Sequence, residues 1–213
     1  GLAVRLAAGT SLDLANTAAF AGALEVTGDA AVTAAETGLT LSSLTLEGGT
    51  LTLPDNDYLT VLALDVPAGA EVTLSCAGTV AIGALTGGGT LTVAGGGTFG
   101  VVDDTGFTGS VSAESGTTLN SGVTVISRLT VSGAQTFSTA GGLVTVDELT
   151  LAGGVLTVAG GGALALGDVH VAAGASVGIA LAGGSAVTNV ASLDLGAGSV
   201  FTPEVDAAST LAV

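Results

Sequence analysis

The sequence contains no lysine, methionine or tryptophan, and its only basic residues are Arg5 and Arg128. Eighteen Asp and Glu residues against these two arginines give a formal net charge of −16. Proteins that bind nucleic acids or anionic membrane surfaces need clustered basic side chains, because these attract the phosphate groups. We therefore expect the chain to have no nucleic-acid partner and no membrane-surface partner.

Long, purely apolar runs are also missing, although the mean hydropathy is +0.79. The longest uncharged stretch, residues 72 to 102, contains nine glycines and many threonines. A membrane-spanning helix needs about 20 predominantly apolar residues in succession. We expect no membrane insertion. Cys76 is the only cysteine, so the sequence also excludes a disulfide within the chain.

Apart from Ala and Leu, good helix formers are scarce, and aromatic residues make up only 3% of the chain. The chain is instead rich in Val, Leu and Thr in alternating order, interrupted by 36 glycines. Alternation of apolar and polar residues is typical of strands that are buried on one side, and glycine is typical of tight turns. The composition therefore predicts an all-β protein.

Strand-like segments recur along the chain at a spacing of about 20 residues, which is a period typical of solenoid proteins. Their first apolar residues are Val4, Leu24, Leu44, Leu64, Ala84 or Leu85, Val111, Leu129, Leu149, Val169 and Leu193. This series requires an insertion of about five residues before Gly109 and Val111 and one of about four residues before Leu193. The five-residue insertion includes the segment "VVDDTGF" (101 to 107), which we expect to be an exposed loop.

A unit of this length cannot bury its own apolar face, but stacked units bury their inward side chains as continuous columns. In each "LTL" segment the leucines then point inward and the threonines, such as Thr45 and Thr150, point outward. The sequence thus predicts a right-handed parallel β-helix (β-solenoid) that forms a single domain over residues 1 to 213. It has about ten coils of about 20 residues, each with three short strands. A right-handed coil is preferred because the hexapeptide period of left-handed β-helices is missing.

One region resembles a known family. The segments "GGGTLTVAGGGTF" (87 to 99) and "GFTGSVSAESGTTL" (106 to 119) are similar to the passenger-associated repeat of bacterial autotransporters, and Phe107, Thr108 and Gly109 match its aromatic-Thr-Gly element. The resemblance implies a secreted, right-handed β-helix displayed on a bacterial surface, where it serves as an adhesin or a stalk.

Candidate catalytic residues are few. β-Helix enzymes that cleave polysaccharides need clustered carboxylates together with Arg or Lys. Arg5 and Arg128 fall in distant coils of the repeat, and His170 occupies an outward position in "VHV", which favours a solvated side chain. We expect that the chain is not an enzyme and has no organic cofactor. A carbohydrate-active enzyme is the third functional hypothesis.

The best candidate for a metal site is the segment "PDNDY" (54 to 58). Asp55 and Asp57, with Asn56 between them, offer oxygen ligands for Ca²⁺, which prefers six to eight such ligands. The alternative is a corner in which these side chains cap backbone N–H groups. Both interpretations stay open at this point.

The two ends of the repeat carry a further signal. The pattern runs from Val4 to "STLAV" at the last residue, without a sequence typical of a capping helix. Either the chain is a segment of a longer solenoid, or its end coils pair with other copies; Pro203 and Glu204 offer a third interpretation, as residues that protect a sheet edge from pairing.

We predict a secreted or cell-surface structural protein: a rod, a stalk or the protomer of a head-to-tail filament on a bacterial surface. Its partners are then further copies of itself, and a host or matrix surface is a second candidate partner. The alternative function is an adhesin-type passenger segment that contacts a host glycan or protein through insertions at residues 101 to 108 and 181 to 192.

Overall fold

The computed structural model describes residues 3–14, 21–34, 38–53, 58–114, 116–121, 125–139 and 141–211. All regular secondary structure in these ranges is β. They contain no helix that is long and apolar enough to cross a membrane. The chain divides into two compact units, Gly1–Ser110 and Val111–Val213. The single domain expected from the repeat stays a prediction.

The first unit is built from short strands that follow the alternating Leu/Thr and Val/Thr segments. They are β1 (Ala3–Leu6), β2 (Thr10–Leu14), β3 (Ala23–Val26), β4 (Ala30–Ala34), β5 (Leu39–Leu41), β6 (Ser43–Leu46), β7 (Gly49–Leu53), β8 (Tyr58–Val66), β9 (Glu71–Cys76), β10 (Thr79–Gly87), β11 (Thr90–Ala94) and β12 (Thr98–Phe107).

Strand β13 (Ser110–Ala113) begins at the last residue of the first unit. The second unit continues with β14 (Thr118–Ser121), β15 (Val125–Val131), β16 (Gln135–Ser138), β17 (Leu143–Leu151), β18 (Gly154–Ala159), β19 (Ala163–Val171), β20 (Ser176–Leu181), β21 (Ala186–Thr188), β22 (Ser192–Leu195), β23 (Val200–Val205) and β24 (Thr210–Leu211).

Within each unit the strands form two parallel sheets, and the chain passes from one sheet to the other in every coil. In the first unit the orders are β1-β3-β6-β8-β10-β12 and β2-β4-β7-β9-β11. In the second unit they are β14-β16-β18-β20-β23 and β13-β15-β17-β19-β21-β24. Each strand therefore pairs with the strand one coil away, which is the architecture of a parallel β-solenoid. The predicted fold class is confirmed, while the right-handed sense of the coil stays a prediction.

The predicted division of each coil into three segments is visible where β8 meets the preceding coil. The first half of β8 pairs with β5 and its second half pairs with β6. The inward side chains Val61 and Leu64 are separated by two outward residues, Leu62 and Ala63, so β8 turns a corner without interrupting the strand. Two of the three predicted strands thus run together into one nine-residue strand.

The register of the first unit confirms the repeat up to Leu64. Val4, Leu24, Leu44 and Leu64 are aligned on successive strands with one constant interval between them. Leu64 is then aligned with Leu85, and not with Ala84. If the segment began at Ala84, Leu85 would be its second residue and would point outward. This alternative is wrong, because Leu85 is only 2% exposed.

The predicted five-residue insertion is also wrong. Thr86 is aligned with Gly106 on β12, so this coil has the ordinary length of the repeat. Segment 101–107 is consequently part of strand β12 and is not a loop. Ser110 lies beside Thr90 of β11, with their hydroxyl oxygens 3.3 Å apart. Ser110, the last residue of the first unit, therefore lies on the sheet of β11 and not on the sheet that contains Leu85.

In the second unit, Val111 is aligned with Leu129, and Leu129, Leu149, Val169 and Leu193 follow one another in register. The four extra residues before Leu193 do not form one insertion at residues 181 to 192. Val158 is already aligned with Leu181, so three of them lie earlier, in the turn between β19 and β20. The fourth lies between β21 and β22, where Asn189 has a positive φ of 61°.

The inward side chains form a largely aliphatic core, as predicted, although the inward residues of β16 are Gln135, which is 3% exposed, and Phe137. Leu44, Leu46, Leu149 and Leu151 are all at most 1% exposed, whereas the threonines between them are half-buried. Full burial of a Leu side chain contributes about 1.5–3 kcal/mol of stability. Within each unit, the described coils other than the last contribute such residues to both sheets, so the core stabilises the stacking of these coils on one another.

Candidate functional site

The outer surface of the first unit carries a ladder of polar side chains. Arg5, Glu25, Thr45 and Asp65 are aligned on β1, β3, β6 and β8. Arg5 Nε lies 2.9 Å from Glu25 Oε1, and Thr86 Oγ1 donates a hydrogen bond of 2.8 Å to Asp65 Oδ1. These side chains belong to the outward column that the repeat predicts.

Arg5 also approaches a second carboxylate, since its Nη2 atom lies 3.6 Å from Glu47 Oε2. Its side chain is 66% exposed, and exposed ion pairs of this kind contribute about 1 kcal/mol or less. The small side chains of Ala3, Ala23 and Ser43 leave a shallow open groove beside Arg5. Arg5 is therefore a cation on an open surface between carboxylates.

The second unit carries two such ladders side by side on β15, β17, β19 and β22. One consists of Arg128, Glu148, Asp168 and Ser192, and the other of Thr130, Thr150, His170 and Asp194. Arg128 Nε lies 2.9 Å from Glu148 Oε2, and Ser192 Oγ donates a hydrogen bond of 2.6 Å to Asp168 Oδ1. The surface is thus a regular polar face with three carboxylates.

His170 lies on this polar face and not in the core, as the "VHV" pattern predicts. Its side chain is 44% exposed, and Nδ1 lies 3.6 Å from Asp194 Oδ2. The repeat spacing anticipated the column that contains His170 and Asp194. It missed the neighbouring ladder of Arg128, Glu148 and Asp168, although the same spacing separates those three residues.

The predicted calcium ligands Asp55 and Asp57 lie, with Asn56, outside the described residues. The calcium site therefore stays a prediction. Within the described ranges, no group of three or more His, Cys, Asp and Glu side chains is arranged to hold a metal ion.

Asp103 of β12 has well-defined local contacts. The backbone N–H and the hydroxyl of Thr105 donate to Asp103 Oδ1 at 3.0 and 2.8 Å. These two hydrogen bonds, the backbone one first, lower the pKa of the Asp103 carboxyl. The expected recognition loop at 101 to 108 is therefore mostly a paired strand whose exposed acid is tied to its own backbone.

The last described coil, formed by β22, β23 and β24, exposes side chains that occupy core positions. Leu193 and Leu195 continue the columns of Val169 and Val171, yet they are 38% and 52% exposed. Val205 continues the column of Leu181 and is 46% exposed. Such side chains are buried elsewhere in the second unit, so this coil presents an apolar edge that the spacing alone did not identify.

The apolar edge continues into a narrow crevice between the last two coils. Its walls are entirely apolar, and they include Ile179, Val187, Val190, Phe201 and Leu211. The core thus remains open toward the side of the last coil that has no pairing strand among the described residues.

The backbone of β23 leaves hydrogen-bonding groups on the same side. The N–H of Val200 donates to Ala175 O at 2.8 Å, and the N–H of Asp206 donates to Leu181 O at 3.2 Å. In a parallel strand, alternate residues bond to opposite neighbours. The carbonyls of Phe201, Pro203 and Val205 therefore face away from β20.

Asp206 fastens the last coil to the preceding one. Its Oδ2 atom accepts a hydrogen bond of 2.8 Å from the N–H of Gly183, and Oδ1 accepts one of 3.0 Å from the N–H of Ala208. The Ser209 side chain first, and then the Gly183 amide, lower the pKa of the Asp206 carboxyl. The ionised form is thus the one that this turn stabilises.

Comparison of the chain with protein-family models, with curated proteins and with solved structures gave no match in any of the three searches. The similarity of residues 87 to 119 to autotransporter passengers therefore stays a prediction from the sequence.

Proposed function

We propose that this protein is an extracellular structural β-solenoid, a rod or stalk on a bacterial surface that lengthens when further copies add to its end coils. The observation that carries the proposal is the last described coil, whose core positions Leu193, Leu195 and Val205 are between 38% and 52% exposed.

Exposed apolar side chains in a row are a characteristic of binding surfaces. An edge strand with unpaired carbonyls, beside such side chains, is a template for one more parallel strand. The strand that would fit best is one with the same alternation of apolar and polar residues, because its apolar residues would extend the existing columns. Every coil of this protein has that alternation, so another copy satisfies the requirement.

The composition supports a structural role outside the cell. A chain without lysine offers trypsin-like proteases only two cleavage sites, Arg5 and Arg128, and both arginines are held in ion pairs. The only cysteine, Cys76, is buried in the first unit at 4% exposure. The autotransporter-like segments at residues 87 to 119 agree with secretion to a bacterial surface.

Negative-stain electron microscopy and analytical ultracentrifugation of the purified full chain test the proposal. We expect concentration-dependent linear oligomers. Val205→Asp places a charge in the apolar edge on β23 and should abolish them. Leu143→Asp is the matched control, since Leu143 is similarly exposed at 57% but lies on β17, away from that edge. A wild-type chain that stays monomeric at high concentration contradicts the proposal.

The second candidate function is an adhesin, and the polar face of the second unit favours it. Its two ladders present side chains at the regular spacing of about 4.8 Å between strands, which suits a repeating ligand such as a glycan. A glycan array probed with the wild-type chain and with a Glu148→Ala/Asp168→Ala variant tests this function. Binding that the double variant loses would support it, and an array without signal would contradict it.

A further inference from the structure

We propose that the coil seated on β23 and β24 is the β1–β2 coil of a second copy, in one defined register. Arg5 of the second copy then lies beside Glu204, Leu6 beside Val205, and Leu12 beside Leu211, all at the same offset along the two chains. This inference rests on the proposed function and specifies its interface.

Each end has a four-residue turn closed by the same backbone hydrogen bond, although Gly9 in the first turn has a positive φ of 75° and Ala208, at the same place in the second turn, does not. In the β1–β2 turn, the N–H of Thr10 donates to Ala7 O at 3.2 Å; in the β23–β24 turn, the N–H of Ser209 donates to Asp206 O, also at 3.2 Å. The proposed offset places these two turns directly on top of each other. At this offset the inward residues of the docked coil meet inward residues on both sheets and the two turns coincide, whereas a shift by two residues keeps the inward match but separates the turns.

The apolar side chains also match at this offset. On β1 the inward residues are Val4 and Leu6, and on β23 the inward residues at the same level are Pro203 and Val205. The outward positions match as well, because Ala3 and Arg5 lie beside Thr202 and Glu204. Docking therefore extends the apolar column of β20 and β23 into β1.

The backbone groups are complementary. Within the first unit, the N–H of Thr27 donates to Leu6 O at 2.9 Å, and that of Glu47 donates to Val26 O at 2.8 Å. Residues at outward positions thus bond back to the preceding coil. By the same rule, the N–H groups of Ala3 and Arg5 donate to the carbonyls of Phe201 and Pro203.

Pro203 makes this interface weaker than the contacts between coils of one chain. It has no N–H group, so the ladder loses one hydrogen bond where β1 would accept it. Pro203 therefore weakens pairing at this edge but does not prevent it. Association is therefore reversible, and strands whose pairing requires an N–H donor at the position of Pro203 are disfavoured.

Charge selects the polarity of docking. Arg5 would lie between Glu204 of the other copy and Glu25 of its own chain, which repeats the cross-strand arrangement that Arg5 and Glu25 already have at 2.9 Å. Docking of two β23 edges would leave Glu204 without Arg5, and docking of two β1 edges would leave Arg5 without Glu204. The interface is therefore head-to-tail, and it leaves a new β23 edge open for the next copy.

Disulfide trapping tests the register. In a Cys76→Ala background, Ala3→Cys and Thr202→Cys are made on separate chains, which are mixed and incubated with oxidised glutathione. Paired parallel strands lie about 4.8 Å apart, within the Cα separation that a disulfide allows. We expect a mixed dimer of the two variants. Val200→Cys is the matched control, because it is exposed on the same strand but displaced by two residues, about 6.6 Å.

A charge exchange tests the ion pair on the full chain. We expect Glu204→Arg to weaken association about threefold, and Arg5→Glu with Glu204→Arg to restore it, as measured by sedimentation. Linear oligomers that form a disulfide with Val200→Cys, and not with Thr202→Cys, would overturn the register but leave the proposed function standing. A chain that does not associate under any condition would overturn the proposed function itself.

Discussion

At the scale of single residues, position on the coil decides what a substitution costs. Leu149 and Thr150 are neighbours on β17, but Leu149 is fully buried while Thr150 faces the polar surface. Inward residues are packed against the equivalent residues of the coils before and after them. Outward residues contact only the side chains beside them on the ladder.

Leu149→Ala should therefore lower the free energy of unfolding by about 2–5 kcal/mol, because it removes methyl groups from a filled core. Thr150→Ala is the control and should change it by about 0.5 kcal/mol or less. Urea unfolding followed by circular dichroism measures both. Equal effects of the two substitutions would contradict the assignment of inward and outward positions.

The Asp206 carboxylate makes the attachment of the last coil sensitive to acid. Since its pKa is lowered in the folded protein, the ionised form contributes stability that is fully present above the ordinary carboxyl pKa and is lost as the pH falls through the lowered value. We expect hydrogen-exchange protection of the β23 and β24 amides, corrected for intrinsic rates, to decrease below a pH of about 4.

Asp206→Asn is the control for that measurement, since it keeps an acceptor oxygen but does not ionise. The variant should show weaker protection than the wild type at pH 6, and the difference between the two proteins should shrink in acid. A difference that stays constant from pH 6 to pH 2.5 would show that the Asp206 charge does not fasten the coil.

At the scale of the strand, the corners of the long strands depend on close backbone contact. Strand β19 passes Gly167 at the level of Asp147 on β17, where a Cβ atom on Gly167 would overlap the Asp147 carbonyl oxygen. Only glycine fits there without displacement of one strand. Gly153, in the same unit, has more room, because a Cβ atom there would lie 3.5 Å from Ser132 O, which is an ordinary contact distance.

Gly167→Ala should therefore destabilise the second unit by about 1–3 kcal/mol, as overpacking does in cores, whereas Gly153→Ala should be nearly neutral. Thermal unfolding of the two variants, monitored by circular dichroism, measures the contrast. A neutral Gly167→Ala would mean that β17 and β19 are further apart at this corner than the contact with Asp147 requires.

The sequence predicted the strands well but not the sheet to which each belongs. Leu24, Leu44 and Leu64 lie on one sheet of the first unit. In the second unit, Val111, Leu129 and Leu149 lie on one sheet. Both sheets of every coil contain an apolar-x-apolar segment at the same spacing of about 20 residues. Spacing alone therefore could not show to which of its two sheets a strand belongs.

The candidate site was predicted only in part, for a related reason. The outward position of His170 followed from alternation within one strand, which is a local property. The exposed core residues Leu193, Leu195 and Val205 look in the sequence like their buried equivalents Val169, Val171 and Leu181. Their exposure depends on whether another coil covers them, and the pattern within one coil carries no such information.

At the scale of the whole molecule, charge opposes association. Every copy carries a formal net charge of −16, so two copies repel each other before their edges meet. Salt screens this long-range repulsion, with a screening length of about 30 Å at 0.01 M and about 10 Å at 0.1 M. The single ion pair proposed between Arg5 and Glu204 is short-ranged and is weakened less.

Oligomers should therefore become larger when NaCl is raised from about 0.01 M to about 0.1 M, with an association constant that increases several-fold. Sedimentation velocity at a fixed protein concentration measures this. The Val205→Asp variant should stay monomeric at both concentrations. Dissociation of wild-type oligomers by salt would show that ion pairs, and not apolar contacts, hold the copies together.

The constant pairing interval of Leu129, Leu149 and Val169 also has a consequence for how such a protein changes in evolution. Loss or gain of a whole interval leaves the flanking coils able to pair, because every inward residue still meets an inward residue. Loss of one residue within a strand exchanges the two faces from that point to the next turn. We therefore expect variation in length to be tolerated in steps of one coil.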